Sequence, residues 1–530
     1  MQTVSDKWKN AHGQTILNES FVEISLDIAD TDALADGVPQ DNGAVYISNS
    51  SALTDGTDKT PLPYCTLEQN LWCLDGSRRV IPDANIDSSG YVGDVLSDDT
   101  CVFSTKQPTI SIDFSQVFDR VVPGISITWS ETYVEFPDTF KIIAYNGNTI
   151  VASKEVTGNK SVKSIVIMDI VGYDRIDVVI KKWCLPNHRA RVEEIYVGIN
   201  KVYGKADLFR YSHTQSVDPL STSLPKNEIK FSISNVGGEY NPLNVTGLSR
   251  YLIERQEIKV RYGLRVDNAT EWIDGGTFYL SEWSAPQNGL TAEFTARDLL
   301  EFMSTIYYDN IAAIGERTLY DLVLFVLNRA DLPLNSDGTV KWVIDDSLKD
   351  ISTTAPLPED TLANCLQMIA NAAECVLYQD RKGTLHIEPL SVDETDYSID
   401  SFNSYSKSEI KLSKTIKQVN VKVYTYAIGE NGITSTTTEV VYPINVMGEI
   451  ITVDNPLITD VERATSLAQW MATHLGHRMT IDSSWRADVR LDALDIVKHT
   501  HAYNTSPVRM TDVEFVYNGA FRGKGKGKVI

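Results

Sequence analysis

The sequence has no stretch of about 18 consecutive apolar residues, which excludes a membrane-spanning helix. Its opening residues, MQTVSDKWKNAHGQT, lack the apolar core of a secretory signal, so export by that route is not expected. There is no CxxC pair among the six cysteines (65, 73, 101, 184, 365, 375), and none has metal-ligand spacing. The expectation is reduced, mostly buried thiols and no metal or cofactor. No G-x-S-x-G motif is present and no cysteine has a histidine partner by motif, which argues against nucleophilic catalysis. An excess of basic residues is also missing. The formal charge is −23, with acids in excess in both halves, so a surface built to grip nucleic acid is not expected.

What is present is a globular composition: 530 residues, 42% hydrophobic, with 19 Pro and 31 Gly. That length points to about 3–4 domains. Most of the chain alternates polar and apolar with period two and is punctuated by Asn-Gly, Asp-Gly and Pro turns, the pattern of β structure. SFVEISLDI (20–28) reads as one strand, followed by a loop-like stretch. Short strands run from 64 to 200, including TISIDF, GISITW, TFKIIAYN, SIVIMDI and RIDVVIKKW, as in an all-β sandwich. A second β block covers 205–300.

The period then changes. ERTLYDLVLFVLNRADL (316–332) and EDTLANCLQMIANAAECVLYQD (359–380) read as helices, the second placing Leu362, Leu366, Ile369 and Ala373 on one face. A hairpin is expected around Asp380–Gly383. A third helix, VERATSLAQWMATHL, should start at an Asp460 cap and stop at Gly476. The fold class expected is mainly β with a smaller α+β part.

An internal echo links QEIKVRYG…FYLSEWSAPQNGLTAEFTARD to LDIVKHTH…VRMTDVEFVYNGAFRGKGKG. Each copy has a strand, a gap, an acid-bearing strand, an Asn-Gly turn (288–289, 518–519) and a final strand. Two similar β domains follow from it.

EIKFSISNVGGEYNPLNVTGLSRYLIERQEIKVRYGL (228–264) resembles the first β domain of phage tail-tip and baseplate hub proteins, the tail-associated protein family. Asn235, Gly238, Tyr240, Pro242, Gln256, Ile258, Val260 and Gly263 carry the likeness, GGTFYLSEWS and LTAEFTARDLLEFM continue it, and RADVRLDALDIVKH and VEFVYNGAFRGKGKG resemble the closing strands. The likeness covers 1–30 and 205–530. It implies a homotrimer whose chain carries two similar hub β-barrel domains, so that six barrels meet a six-fold tail tube. Implied partners are a tail tube or distal tail protein, the tape-measure protein, and baseplate, spike or receptor-binding proteins, with DNA passing through without specific binding. The implied location is the virion tail tip, assembled in the host cytoplasm.

Residues 64–200 resemble a discoidin-like (F5/8 type C, galactose-binding-like) jelly roll, on TLEQNLWCLDGS, SIDFS, GISITW, PDTFKIIAYN and YDRIDVVIKKWCLPNHRARVEEIYVG. The expected domains are therefore 1–35 (hub strand), 36–63 (linker), 64–200 (inserted jelly roll), 201–305 (first hub barrel), 306–400 (α+β) and 401–530 (second hub barrel). In the inserted module Trp72, Trp129, Tyr133, Trp183, His188 and Arg189 are the candidate glycan-binding residues: aromatic rings for a sugar face and fixed hydrogen-bonding groups beside them. The alternative for Trp129 and Trp183 is a place in the core.

No catalytic residues are assigned, and a non-enzymatic structural role is expected. The alternatives are a host-wall-binding adhesin and, more weakly, a cell-wall glycoside hydrolase, whose carboxylate pair nothing in the sequence singles out. His474, His477, His499 and His501 read as ordinary surface or interface histidines, with a four-histidine metal site as the alternative. RGKGKGKVI (522–530) reads either as a strand with Lys524, Lys526 and Lys528 on one face, touching DNA, the tape measure or acidic neighbours, or as a flexible terminus.

Overall fold

The computed structural model describes the chain except residues 17, 46, 55–62, 77, 81–89, 245–246, 268, 287–288, 305–315, 331, 336–337 and 430–431. Asn288 of the first Asn-Gly turn and residues 55–62 of the expected linker thus lie outside the described residues. The protein is mainly β with a smaller helical part. It divides into two compact units: Met1–Ser25, Val202–Gly247 and Ile253–Ile530 form one, and Leu26–Lys201 with Leu248–Leu252 form the other.

The second unit is a sandwich. One sheet orders Val38–Asn42, Thr109–Phe118, Tyr173–Trp183, Pro137–Asn146 and Thr149–Thr157; the other orders Glu194–Tyr196, Val122–Thr128 and Lys163–Ile170. Period-two alternation turns Ile110, Ile112, Phe140, Ile142, Ile176 and Val178 of the first sheet toward Ile125, Ile127, Val166 and Ile195 of the second, and all share one buried cluster. The edge strand Thr149–Thr157 is mostly exposed and carries polar residues, as an edge requires. The two ends of the unit's main segment meet: Asn200 Nδ2 donates to Asp27 Oδ1 at 2.5 Å.

The first unit is organised by a repeat. Its first copy consists, in chain order, of Ser20–Ala29 (through Ser25 within this unit), Leu208–Ser216, Lys226–Ser234, Glu257–Val266, Ala269–Ser284 and Thr291–Arg297. The second consists of Glu394–Ile399, Glu409–Leu412, Met479–Trp485, Ile496–Thr500, Thr505–Tyr517 and Phe521–Val529. In both, the strands stand side by side in the order first, fourth, fifth, sixth, third, second.

The correspondence extends to irregularities. In the long fifth strand the ladder to the sixth slips between Leu280 and Glu282 in one copy and between Met510 and Asp512 in the other. Arg255 and Leu494 both have positive φ (68° and 74°), costly for a residue with a Cβ. Each then donates its N–H to the same place, Arg255 N to Leu280 O and Leu494 N to Met510 O, both at 2.7 Å. The outermost strand departs from the repeat. Glu394–Ile399 runs parallel to Ile496–Thr500, whereas Glu19 lies by Arg265 and Glu23 by Arg261, an antiparallel sense.

The copies join through Leu208–Ser216, which pairs antiparallel with residues 512–517, from Tyr211 opposite Tyr517 to Ser216 opposite Asp512. Next to this junction sits the hairpin Val376–Gln379 and Leu385–Glu388, whose turn delivers the buried Arg381. Its guanidinium donates to Asp274 O of the first copy, and to Leu491 O and Asp492 Oδ1 in the second. A buried cation is tolerable only with such partners.

The helices obey their cap signals. Leu319–Arg329 carries a Thr318/Asp321 capping box. Leu362–Ala372 is capped by Thr361, and Val461–Gly476 by Asp460, whose carboxylate accepts from Arg463 N. These helices share one core with the strands Ile416–Gly429 and Glu449–Val453, so that core draws residues from both sides of position 400.

All of RGKGKGKVI but its last residue, Ile530, lies within the strand Phe521–Val529, hydrogen-bonded on both sides, by Met479–Trp485 and Thr505–Tyr517. This corrects the reading of it as a flexible terminus. Lys524 and Lys526 face solvent while Gly523, Gly525 and Gly527 face inward. A Cβ on Gly523 would meet the Trp485 ring at 2.8 Å.

Candidate functional site

Two loops, 64–73 and 130–136, meet the strand Arg189–Val192 and the residues that lead into it at one end of the sandwich. Glu68 and Glu135, both nearly fully buried, are the acceptors around which they close. Arg191 Nη2 donates to Glu68 Oε1 at 2.5 Å, and its Nη1 lies 3.6 Å from Glu135 Oε2. Arg189 N donates to Glu68 Oε2 at 2.8 Å, and Thr66 Oγ1 to Glu68 Oε1 at 2.9 Å. Trp183 Nε1 donates to Glu135 Oε2, and His188 Nδ1 lies against Glu135 Oε1, each at 2.8 Å. The Arg191 guanidinium sits over the Tyr133 ring, 4.5 Å from its centroid, with Arg78 beyond at 5.6 Å. Tyr64 N in turn donates to the Tyr133 hydroxyl at 2.7 Å.

The electrostatics follow. Burial alone would raise the Glu68 carboxyl, but the charge and hydrogen bonds of Arg191, with those from Arg189 N and Thr66, hold it below its ordinary value. His188 is raised, first by its hydrogen bond to Glu135 and against the opposing effect of burial. The Tyr133 hydroxyl is raised by burial. Glu68 is therefore a paired anion, unsuited to deliver a proton as a general acid. The cluster's acceptors are occupied from within the protein, and its chemistry is that of a clamp holding the two loops and the strand in register.

The six residues singled out by sequence separate here. Tyr133, Trp183, His188 and Arg189 gather around the clamp. Trp183 is fully buried, with no ring face open to a ligand. Trp129 is also fully buried, away from the clamp, packed edge-on against Phe140 at 4.8 Å and donating through Nε1 to Ser164 Oγ. Trp72 is 57% exposed on the loop that carries Glu68, flanked by exposed Leu67 and Leu74. Arg189 is half-buried and spends Nη1 on Gly93 O and Asp94 O. Glu135 was missed by sequence reasoning, because its partners lie about fifty residues away. Arg191 was visible only as part of the Arg-x-Arg closing strand, and Glu68 only as one of many acids. Cys65 and Cys73 are not joined in a disulfide, and Cys73 N donates to Cys65 Sγ at 3.2 Å.

In the first unit a cleft of about 580 Å³ is lined by charged, polar and apolar residues, the charged ones including Asp298, Arg381, Arg490, Asp492 and Asp495. Most are engaged: Arg381 with Asp492, Arg490 with Asp488, and the Met1 ammonium with Asp495 at 2.7 Å. The four histidines do not converge. His499 Nε2 lies within 3.0 Å of the Ser408 and Ser483 hydroxyls, and His474 Nδ1 donates to Trp470 O.

No family model matches the chain, and no curated protein matches it. Among solved structures it is similar to the 43 kDa tail protein of prophage MuSo2 from Shewanella oneidensis, at 12% identity and a TM-score of 0.42 over 62% of this chain and 95% of that one. It is similar to the tail protein from Neisseria meningitidis MC58, at 11% identity and 0.42 over 63% and 94%. Prophage tail protein gp18 from Listeria monocytogenes EGD-e follows at 10% identity and 0.39 over 63% and 91%.

Proposed function

We propose that this protein is the structural hub at the distal end of a phage tail or tail-like particle. The observation that carries the reading is the repeat: two copies of one six-strand arrangement, alike down to a ladder slip and a left-handed residue, joined in one sheet. The segments that resemble the tail-hub family in sequence are the segments that build this repeat. A trimer of such chains offers six near-equivalent modules, the number a six-fold tube needs. Its role is symmetric binding without covalent chemistry, in contact with a tail tube or distal tail protein, the tape-measure protein, and baseplate or spike components. DNA passes an acidic protein of this kind without specific binding.

The sandwich unit is the discoidin-like module of that hub, presented toward host-wall glycans. What favours this is the pairing of a rigid clamp with an exposed aromatic on the same loop: Trp72 for a sugar face, with Tyr133 and Arg189 beside the clamp.

Molar mass in solution tests the hub: three copies of the full chain are expected, and a monomer at every concentration overturns it. Binding of the full chain to purified wall glycans tests the module. Retention that falls at least tenfold in Trp72→Ala supports it, and equal retention of the two proteins removes Trp72 from the site.

A further inference from the structure

The repeat contains one junction that is closed and one that is open. Within the chain, the second strand of the first copy (Leu208–Ser216) fills the free side of the second copy's fifth strand at residues 512–517. The counterpart of that vacant side in the first copy is the stretch that follows the slip at Leu280. There pairing to Glu257–Val266 ends at Tyr279, closed off by the Arg255 and Gln256 bonds to Leu280, and only Thr291–Arg297 pairs beyond it. The counterpart of Leu208–Ser216 is Glu409–Leu412, which pairs with Met479–Trp485 and ends the sheet. Among the described residues neither edge has a strand beside it.

We infer that these two edges pair between copies of this chain, residues 409–413 of one running antiparallel to residues 282–286 of the next, in the register of the internal junction. This rests on the hub reading and deepens it by naming the contact that closes the ring.

The register follows from the repeat. Equivalent slips make Glu282, Trp283 and Ser284 the counterparts of Asp512, Val513 and Glu514. Equivalent ladders make Ile410, Lys411 and Leu412 the counterparts of His213, Thr214 and Gln215: Thr214 opposes Glu228, which opposes Arg297, while Lys411 opposes Thr480, which opposes Lys528. Leu412 therefore meets Trp283, Lys411 meets Ser284, and Ser413 meets Glu282.

The side chains suit it. In the closed junction His213, Gln215, Val513 and Phe515 are all buried. Their counterparts on the open edges include Leu412 and Ile410, apolar yet 67% and 47% exposed, and the half-buried Trp283. Ser216 Oγ donates to Asp512 Oδ1 at 2.7 Å across the closed junction; Ser413 and Glu282 repeat that donor and acceptor. Pro286, without an N–H, falls at the end of the paired stretch, where an edge tolerates it. A long exposed edge with apolar residues is otherwise a site of aggregation.

The test uses the full chain. Under mild oxidation, the Lys411→Cys/Ser284→Cys protein should give disulfide-linked copies on a non-reducing gel. Each single variant should not. Lys411→Cys/Glu282→Cys, two residues out of register and at about 7–8 Å between Cα atoms, should also stay unlinked. Separately, Ile410→Asp/Leu412→Asp should abolish association while leaving the unfolding midpoint of the chain within error. If the copies associate but the in-register pair stays unlinked, the out-of-register pair links equally, or the aspartate variant still associates, the pairing is overturned and the hub reading stands. If the parent chain is monomeric throughout, both are overturned.

Discussion

The two copies of the repeat have the same backbone and different fillings. In the first, Phe231 and Phe294 oppose each other across two strands and stack at 5.0 Å with nearly parallel rings, beside Ile233 opposite Ala292. In the second, the same positions are Ser483 opposite Gly525 and Trp485 opposite Gly523. One large ring, Trp485, replaces two phenylalanines and an isoleucine, and glycines make room for it. A Cβ on Gly525 would lie 3.1 Å from the Trp485 ring and 2.4 Å from Asp512 O. Close packing is preserved by trading volume across the ladder, which is how two copies keep one shape while losing identity.

The comparison can be broken most forcefully at its rings. Trp485→Ala and Phe294→Ala should each lower stability by about 3–5 kcal/mol in denaturant unfolding, since each leaves a cavity its neighbours cannot fill. The next effect sets a titrating position against an inert one. Asp298 follows the sixth strand of the first copy, where the second copy has Val529. Burial pushes the Asp298 carboxyl up to about 7, from an ordinary 3.8. The folded state thus holds a proton that the unfolded chain has released, so its contribution is full below about 4 and is lost as pH rises to about 7. Unfolding free energy measured across that window should decline in the parent and decline less in Asp298→Asn. Gly525→Ala should cost about 1–3 kcal/mol by overpacking. Lys526→Gln, on the solvent face of the same strand, should stay within about 0.5 kcal/mol.

The repeat was legible because alternation and turn chemistry survive when residues change. The strand QEIKVRYG and its echo share a pattern with little identity, and the Asn518-Gly519 turn remains where a positive φ is needed, at 79° for Gly519. RGKGKGKVI was legible only in half, because glycine weakens a strand and argues against one; the reason for it, Trp485, lies forty residues away. The clamp of the sandwich was mostly hidden. Glu68 and Arg191 are 123 residues apart and Glu135 and His188 are 53 apart, so their pairing is a property of the fold. Trp129 and Trp183 have the composition of a sugar platform, and nothing local in the sequence distinguishes that from a core tryptophan.

The bond between Asp27 and Asn200 has a kinetic consequence. The strand Ser20–Ala29 finds its neighbour in Glu257–Val266 across more than two hundred residues, a separation that would make the search slow for an unstructured chain. Once Leu26–Lys201 has folded, its ends are held together by that contact, and the loop to be closed shrinks to about 55 residues, 202–256. A passenger module of this length then acts on the order of folding as a short turn would, so the sandwich should form first and the sheet that depends on it should not wait.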